Sequence, residues 1–172
     1  MATTITTPPS APATTGLSHT ATVAALYEAF GRGDVPTILG MLAEDVTWDG
    51  DWADNFGQRG HVDHFRPRTG KSQVGAFFAV LATVTVEEFA VLDLLASDRQ
   101  VVAQVVIALK LPKGGRLRDE ELHLWTFGAD GRITALRHYI DTATHLAAAA
   151  GTDTRMPIDP AGDGPPRGSM GM

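Results

Sequence analysis

The sequence contains no cysteine, and its charged residues are few and mostly acidic. Without a thiol the chain has no disulfide, no thiolate metal site and no cysteine nucleophile. Its net charge of −6 argues against a protein that binds nucleic-acid phosphates. No apolar run approaches the roughly 18–20 residues that span a bilayer, and residues 1–13 lack the features of a secretory signal. We therefore expect a cytoplasmic protein that binds neither nucleic acid nor membrane.

Hydrophobic residues make up 44% of the 172 residues, which is enough for one packed domain. Prolines concentrate at the two ends of the chain. Residues 1–17 are rich in Thr, Ala and Pro, and residues 151–172 are rich in Gly and Pro. Such segments bury too little apolar area to offset their ordering entropy, so we expect flexible ends around a single domain at 18–150.

Two helices and a strand are predicted in the first third of this domain. From a cap at Ser18 or Thr20, apolar residues recur with helical spacing as far as Phe30. Asp34 is suited to cap a second helix, with Pro36 in its first turn. A short strand is then expected at 46–48.

Residues 49–71 predict a long polar loop, and loops of this length are usually functional or mobile. The segment His61-Val62-Asp63-His64 carries metal-ligand residue types. No helix precedes it and no third ligand is matched to it, so we expect no metal ion. Ser72 can cap a third helix after the loop.

After Thr83 the hydrophobic period changes to two, which predicts strands joined by short turns. These strands are expected at 84–95, 100–111, 116–127 and 132–141, with a final short helix at 142–150. Three helices before a curved, mostly antiparallel sheet give an α+β fold. Both faces of the strand at 100–111 are largely apolar, so we expect its outer face to meet a second copy in a homodimer.

Two segments of the chain resemble a known family. The sequence LYEAFGRGDVPTILGMLAEDVTW, followed by ELHLWTFGADGRITALRHYID, is similar to the SnoaL-like branch of the nuclear-transport-factor-2-like superfamily. This superfamily includes ketosteroid isomerases, limonene epoxide hydrolases and polyketide cyclases. The resemblance covers residues 18–150 and implies a cone-shaped α+β barrel in which helices close a curved sheet over one deep pocket.

The family's catalytic motifs are only partly present. The Arg-x-Asp pair and second Asp of the epoxide hydrolases fall on Gln104, Val106 and His138, which argues against epoxide hydrolysis by that route. The Tyr and the base Asp of the isomerases fall on Leu26 and Gly50, although Tyr27, Asp49 and Asp51 are immediate neighbours.

His123 occupies a position that two of these enzyme types share. The second Asp of the isomerases and the acid/base Asp of the cyclases both match it. Strand alternation places Glu121 on the same face as His123, and His138 on a facing position of the next strand. We expect His123 to donate a hydrogen bond to an enolate oxygen, His138 to act as the base and Glu121 to orient them.

Two alternatives concern this cluster. Asp49 or Asp51 could be the base instead, and the polar cluster could simply satisfy itself inside a cavity. Gln104 could hold a substrate carbonyl or form a structural hydrogen bond. The full set of residues expected to bind substrate is Tyr27, Trp48, Asp49, Trp52, Phe78, Gln104, Val106, Trp125, Leu136 and Ile140.

These observations predict an enzyme without a cofactor that acts by acid/base chemistry on a hydrophobic, oxygenated small molecule. A polyketide or terpenoid intermediate fits this description, and the reaction would be an isomerisation, a cyclisation or a dehydration. The alternatives are a non-catalytic ligand-binding or dimerisation module with the same pocket, and a diverged hydrolase that uses His138 as its base.

Overall fold

The computed structural model describes residues 13–50 and 62–155, with side chains from residue 18 onward. Within these ranges the chain forms four helices, which we label α1 (Ala13–Gly31), α2 (Val35–Met41), α3 (Lys71–Leu81) and α4 (Thr142–Ala149). It also forms six strands, namely β1 (Leu42–Trp48), β2 (Arg68–Thr69), β3 (Thr85–Ala96), β4 (Gln100–Lys110), β5 (Arg116–Phe127) and β6 (Ile133–Tyr139).

The strands form one sheet in the order β2-β1-β6-β5-β4-β3. Strands β3 to β6 make the antiparallel meander that the alternating pattern predicts, and their bounds lie within two residues of the predicted ones. β1 runs parallel to β6 and brings the first half of the chain beside the last strand. The architecture is the expected α+β cone, with helices packed over the concave side of a mostly antiparallel sheet.

Local sequence signals explain α2 but not the starts of the other two N-terminal helices. Asp34 caps α2 by accepting a hydrogen bond from the backbone N–H of Thr37 at 3.1 Å, as predicted. α1 begins at Ala13 rather than near Ser18, because helical backbone bonding extends beyond the apolar pattern that suggested the start. The predicted cap at Ser72 is wrong, since the capping position of α3 is Gly70, two residues earlier.

Gly70 adopts a φ of +79°, which a residue with a Cβ rarely takes. Its backbone N–H donates to the carbonyl of Val46 at 2.8 Å, just after the short strand β2 pairs with β1. The predicted loop at 49–71 therefore contains an edge strand, a feature too short for alternation to reveal. A single 3₁₀ turn at Asp63–Phe65 precedes it.

The segment after α4 is hydrogen-bonded to the sheet as far as the structure describes it. The N–H of Arg116 donates to the carbonyl of Thr152 at 3.1 Å, and the N–H of Thr154 donates to the carbonyl of Arg116 at 2.8 Å. Arg155 forms ion pairs with Glu87 and Asp153. Residues 152–155 therefore extend the hydrogen-bonded structure beyond α4.

The hydrophobic core lies between the helices and the concave face of the sheet. On β4 this face carries Val101, Ala103, Val105, Ile107 and Leu109. None of the helices in the described part of the chain is long and apolar enough to cross a membrane.

Candidate active site

A cavity of about 80 Å³ lies between the concave face of the sheet and helices α1 and α3. Its wall is largely aromatic and aliphatic, and includes the predicted residues Trp48, Phe78, Trp125 and Leu136. Five polar or ionisable side chains also line it: Tyr27, His64, Glu121, His123 and His138. A mostly apolar cavity with a few converging polar groups is the usual form of a small-molecule site.

A wider apolar cleft of about 770 Å³ adjoins the cavity near the end of α1. The two spaces share seven lining residues, Tyr27, Phe30, Ile38, Phe78, Leu81, Val86 and Phe89. A ligand with a polar end and a larger apolar body could therefore place the polar end beside the histidines and the body in the cleft.

The two predicted histidines face each other across β5 and β6. His123 and His138 are register partners, and their ring centroids are 4.6 Å apart with the rings nearly perpendicular. Both side chains are buried and line the cavity. Strand alternation predicts this facing arrangement of the two rings.

Asp49 fixes the ring of His138. One carboxylate oxygen lies 2.8 Å from Nδ1 of His138, and the other accepts the backbone N–H of the same residue at 2.9 Å. Asp49 takes a left-handed φ of +55°, and its own N–H donates to the carbonyl of Leu136 at 2.9 Å. Nε2 of His138 has no hydrogen bond to any residue that the structure describes.

The electrostatic balance at His138 makes its ring a stronger base than a free imidazole. Burial lowers the pKa of the ring, but the charge and hydrogen bond of Asp49 outweigh burial and raise the pKa above its usual value. An aspartate that contacts Nδ1 orients the imidazole and leaves Nε2 to exchange a proton.

His123 is held at both ring nitrogens. Nε1 of Trp125 donates to the hydroxyl of Tyr27 at 3.0 Å, and that hydroxyl lies 2.8 Å from Nδ1 of His123. Nε2 of His123 lies 3.0 Å from Oε2 of Glu121. Burial raises the pKa of Tyr27 and lowers the pKa of His123, so the phenol keeps its proton and the imidazole is neutral. The chain of donors therefore runs from Trp125 through Tyr27 and His123 to Glu121.

A second group of ionisable side chains lies on the other side of Glu121. Nε2 of His145, on α4, is 3.2 Å from Oδ2 of Asp119 and 3.0 Å from Oε1 of Glu121. Nδ1 of His145 is 3.3 Å from Nε2 of His64. Burial raises the pKa of Glu121, but contacts with its neighbouring histidines outweigh burial and lower the pKa overall. Burial lowers the pKa of His64 to about 3.

The sequence analysis missed His145 and did not connect His64 with it. Asp119 and Glu121 share the inward face of β5, which is a signal for an ionisable partner on the element that covers them. α4 covers them, and His145 lies one turn after the capping residue Asp141, whose N–H donates to Asp119.

Four of the predicted substrate-binding residues are not among the described residues that line the cavity, namely Asp49, Gln104, Val106 and Ile140. Gln104 and Val106 are on the outer face of the sheet, because the inward positions of β4 are the odd-numbered ones. The side chain of Gln104 hydrogen-bonds Glu120 instead. Ile140 follows the end of β6 and is not among the described residues that line the cavity. Trp52 and Asp51 lie outside the described residues.

The residues of the predicted metal-like segment are separated. His64 and Val62 are buried, whereas Asp63 is exposed and pairs with Arg66 at 2.9 Å. His61 lies outside the described residues. The guanidinium of Arg68 donates to the carbonyls of Asp63 and Arg66 at 2.9 and 2.7 Å, which fixes the path of the backbone around His64.

A curved sheet, helices over its concave side and a cavity at their junction define the nuclear-transport-factor-2-like class of α+β cones. The family model described as the SnoaL-like domain matches residues 23–136. The chain therefore belongs to the SnoaL-like domain family. Among curated proteins, none gives a significant match.

Solved structures with the same fold include three with informative descriptions. An NTF2-like protein of Burkholderia xenovorans LB400 is 21% identical, with a TM-score of 0.63 over 78% of this chain and 96% of that one. An LEH-like epoxide hydrolase of M. tuberculosis is 18% identical, with a TM-score of 0.59 over 78% and 91% of the two chains. The epoxide hydrolase/cyclase-like enzyme SalBIII, described in pyran ring formation in polyether salinomycin, is 17% identical, with a TM-score of 0.54 over 74% and 94%.

Proposed function

We propose that this protein binds a hydrophobic, oxygenated small molecule in the cytoplasm and catalyses an acid/base reaction on it, such as isomerisation, cyclisation or dehydration. One observation carries the proposal. An imidazole oriented by a buried carboxylate faces an apolar cavity, with one ring nitrogen unengaged by the described residues. The chemistry of SalBIII and of the LEH-like hydrolase is consistent with a cyclic or polyketide-like ligand.

In this mechanism His138 is the residue that exchanges a proton with the ligand. Neutral His138 takes a proton from the carbon next to a ligand carbonyl, which leaves an enolate and an imidazolium. The charge of Asp49 stabilises that imidazolium at Nδ1, 2.8 Å away. Returning the proton to another carbon isomerises the ligand. Alternatively, attack of the enolate on a second carbonyl closes a ring, and the resulting alkoxide takes the proton from the imidazolium of His138.

His123 has a different role from the one its position suggested. Both of its ring nitrogens are hydrogen-bonded within the protein, so it does not offer a free donor to an enolate oxygen. It packs against the ring of His138 instead, and Glu121 and Tyr27 fix its orientation. We assign His123 as a positioning residue.

Deuterium exchange tests this chemistry without knowledge of the natural substrate. The probe is 2-decalone, a bicyclic ketone, incubated with the protein in D₂O and followed by mass spectrometry. Proton transfer by a positioned side chain typically contributes about 10²–10⁴-fold in rate, so His138→Gln should lose exchange by a factor in that range. Asp49→Asn should also slow exchange. Glu120→Gln removes a carboxylate on the outer face of the same sheet and should leave the rate unchanged.

Two results would count against the proposal. Exchange that persists in folded His138→Gln would show that another group moves the proton. Binding of 2-decalone, seen by ligand-observed NMR, with no exchange above buffer would favour the non-catalytic binding module.

We also propose that the outer face of the sheet pairs two copies of the chain. Leu95, Leu122 and Tyr139 are exposed there at 61%, 44% and 39%, which is unusual for side chains of this size on one face. Val102 and Leu124 are register partners on the neighbouring strands β4 and β5, and they extend this apolar surface. Burial of this surface in a symmetric dimer would remove it from water.

A further inference from the structure

We propose that Asp119, Glu121 and His145 form a binding site for a divalent first-row transition-metal ion, beside the cavity and separate from the His138–Asp49 pair. This inference does not depend on the proposed function, because none of the three ligands exchanges a proton in the proposed reaction and the site is tested by metal binding alone. It also departs from the sequence-based expectation of no metal, which considered only residues 61–64.

The three donor atoms converge. One ligand atom from each residue lies within 4.8 Å of the other two. Nε2 of His145 is 3.0 Å from Oε1 of Glu121 and 3.2 Å from Oδ2 of Asp119. With metal–ligand distances of about 2.0–2.2 Å, neighbouring donors lie about 3.0 Å apart in octahedral geometry and about 3.4 Å apart in tetrahedral geometry. The observed nitrogen–oxygen separations fall between these two values.

One buried carboxylate oxygen of this cluster has no hydrogen bond from the described residues. The side chain of Glu121 is only 2% exposed, and its Oε1 has no hydrogen-bond partner among the described residues. The N–H of His145 can satisfy Asp119, but its direction does not serve Oε1 of Glu121 as well. Since a buried carboxylate oxygen without a hydrogen bond is costly, a cation shared by Asp119 and Glu121 would satisfy both carboxylates at once.

Each donor is oriented by a contact behind it, as is usual for metal ligands. Oε2 of Glu121 is occupied by His123, which leaves Oε1 for the ion. The N–H of Asp141 donates to Asp119 at 2.9 Å. Nδ1 of His145 lies 3.3 Å from Nε2 of His64, so a proton on Nδ1 can be shared with that ring while Nε2 binds the ion.

The donor set defines the class of ion. One imidazole nitrogen and two carboxylate oxygens suit Zn²⁺, Co²⁺ or Mn²⁺, whereas Mg²⁺ and Ca²⁺ prefer oxygen ligands and retain water. Glu121 and His64 also line the cavity, so an ion at this site would lie at the cavity wall.

The test is titration of the untagged full-length protein, freed of metal with a chelator, with Zn²⁺ and Co²⁺. Calorimetry with Zn²⁺ should give one saturable site per chain, and bound Co²⁺ should develop visible absorption bands. Mg²⁺ at the same concentrations should give neither signal. Loss of an outer-shell partner typically costs roughly 10–100-fold in metal affinity, so Asp119→Asn and His145→Gln should each lose at least that much.

Glu120→Gln is the matched control, because it removes the carboxylate between the two acidic ligands on the opposite face of β5. It should bind Zn²⁺ as the unaltered protein does. Circular dichroism establishes that each variant is folded, and Asp119→Asn, which alters a less buried side chain, covers the case in which His145→Gln does not fold. Absence of a saturable site in the unaltered protein, or equal affinity in folded Asp119→Asn, would overturn the proposal. Loss of 2-decalone exchange in His138→Gln does not bear on this result.

Discussion

The contact between Asp49 and His138 joins two distant parts of the chain through both the side chain and the backbone of the histidine. Asp49 ends β1, and the parallel pairing of β1 with β6 brings its carboxylate to His138. Because the carboxylate is buried with the ring, it acts on the imidazole with little screening by solvent. The protonation state of His138 therefore depends on this single neighbour more than on any other group.

Asp49→Asn should lower the pKa of His138. The raised pKa in the folded protein contributes stability that is fully present below about pH 6.5, the unfolded value, and is lost as pH rises through the folded pKa. The substitution should therefore destabilise the protein more at pH 5.5 than at pH 8.5, by about 1.4 kcal/mol for each unit of pKa lost.

NMR titration of the imidazole protons measures this shift, and urea unfolding at the two pH values measures its effect on stability. His64 provides an internal control, because burial holds its pKa near 3 and its ring should stay neutral down to mildly acidic pH in both proteins. An unchanged His138 titration in Asp49→Asn would contradict the role assigned to the carboxylate.

At this scale the sequence could predict the two facing imidazoles and the carboxylate of Glu121 beside them, but not the contacts made by Asp49 and His145. His123 and His138 follow from alternation on adjacent strands, which is a local property. Asp49 and His145 reach the site through a parallel strand pair and a covering helix, and no local pattern records either of them. Gln104 was misplaced because the outer face of β4 is nearly as apolar as its inner face, so composition alone could not identify the inward positions.

Among the secondary-structure elements, α4 depends on a close approach to the β4–β5 turn. Gly115 lies in this turn, and a Cβ there would come within 1.9 Å of the carbonyl oxygen of Ala148. The contact is with backbone, so no side-chain rotation can relieve it. This packing sets the distance between α4, which carries His145, and β5, which carries Asp119 and Glu121.

Gly115→Ala should move α4 away from the turn and destabilise the protein by roughly 1–3 kcal/mol, as overpacking usually does. Gly40→Ala is the matched control. Gly40 lies in α2, and nothing is within 4 Å of its added Cβ, so alanine should stabilise the helix by about 0.5–1 kcal/mol. Urea denaturation of both variants measures the two effects. Equal stabilities would show that the contact between Ala148 and Gly115 does not exclude a side chain at residue 115.

The elements themselves were largely predictable where two signals agreed. Strands β3 to β6 combine alternation with turn residues, and α2 combines a cap with a proline in the first turn. The start of α3 is displaced by two residues from the predicted one, because Gly70 rather than a capping side chain precedes the helix. β2 was missed because two residues cannot show a period.

At the scale of the whole molecule, the two faces of the sheet carry different kinds of side chain. Its concave face holds the cavity and the ionisable cluster, and its convex face carries apolar side chains with charged neighbours. These charged side chains have partners within the face: Arg118 pairs with Glu88 at 2.9 Å, and the amide of Gln104 donates a hydrogen bond to Glu120. Paired charges beside exposed leucines reduce the cost of removing the face from water.

Leu122→Glu should therefore convert a dimer into a monomer. The side chain is 44% exposed, between Gln104 on β4 and Tyr139 on β6. Symmetry places the introduced charge in the contact twice, once from each copy. A single substitution therefore destabilises the dimer through two buried charges. Sedimentation velocity over a range of protein concentrations should show a dimer for the unaltered chain and a monomer for Leu122→Glu.

Ala129→Glu adds the same charge at the exposed β5–β6 turn and should remain dimeric. A monomeric unaltered protein, or dissociation by both substitutions alike, would contradict pairing through the sheet face.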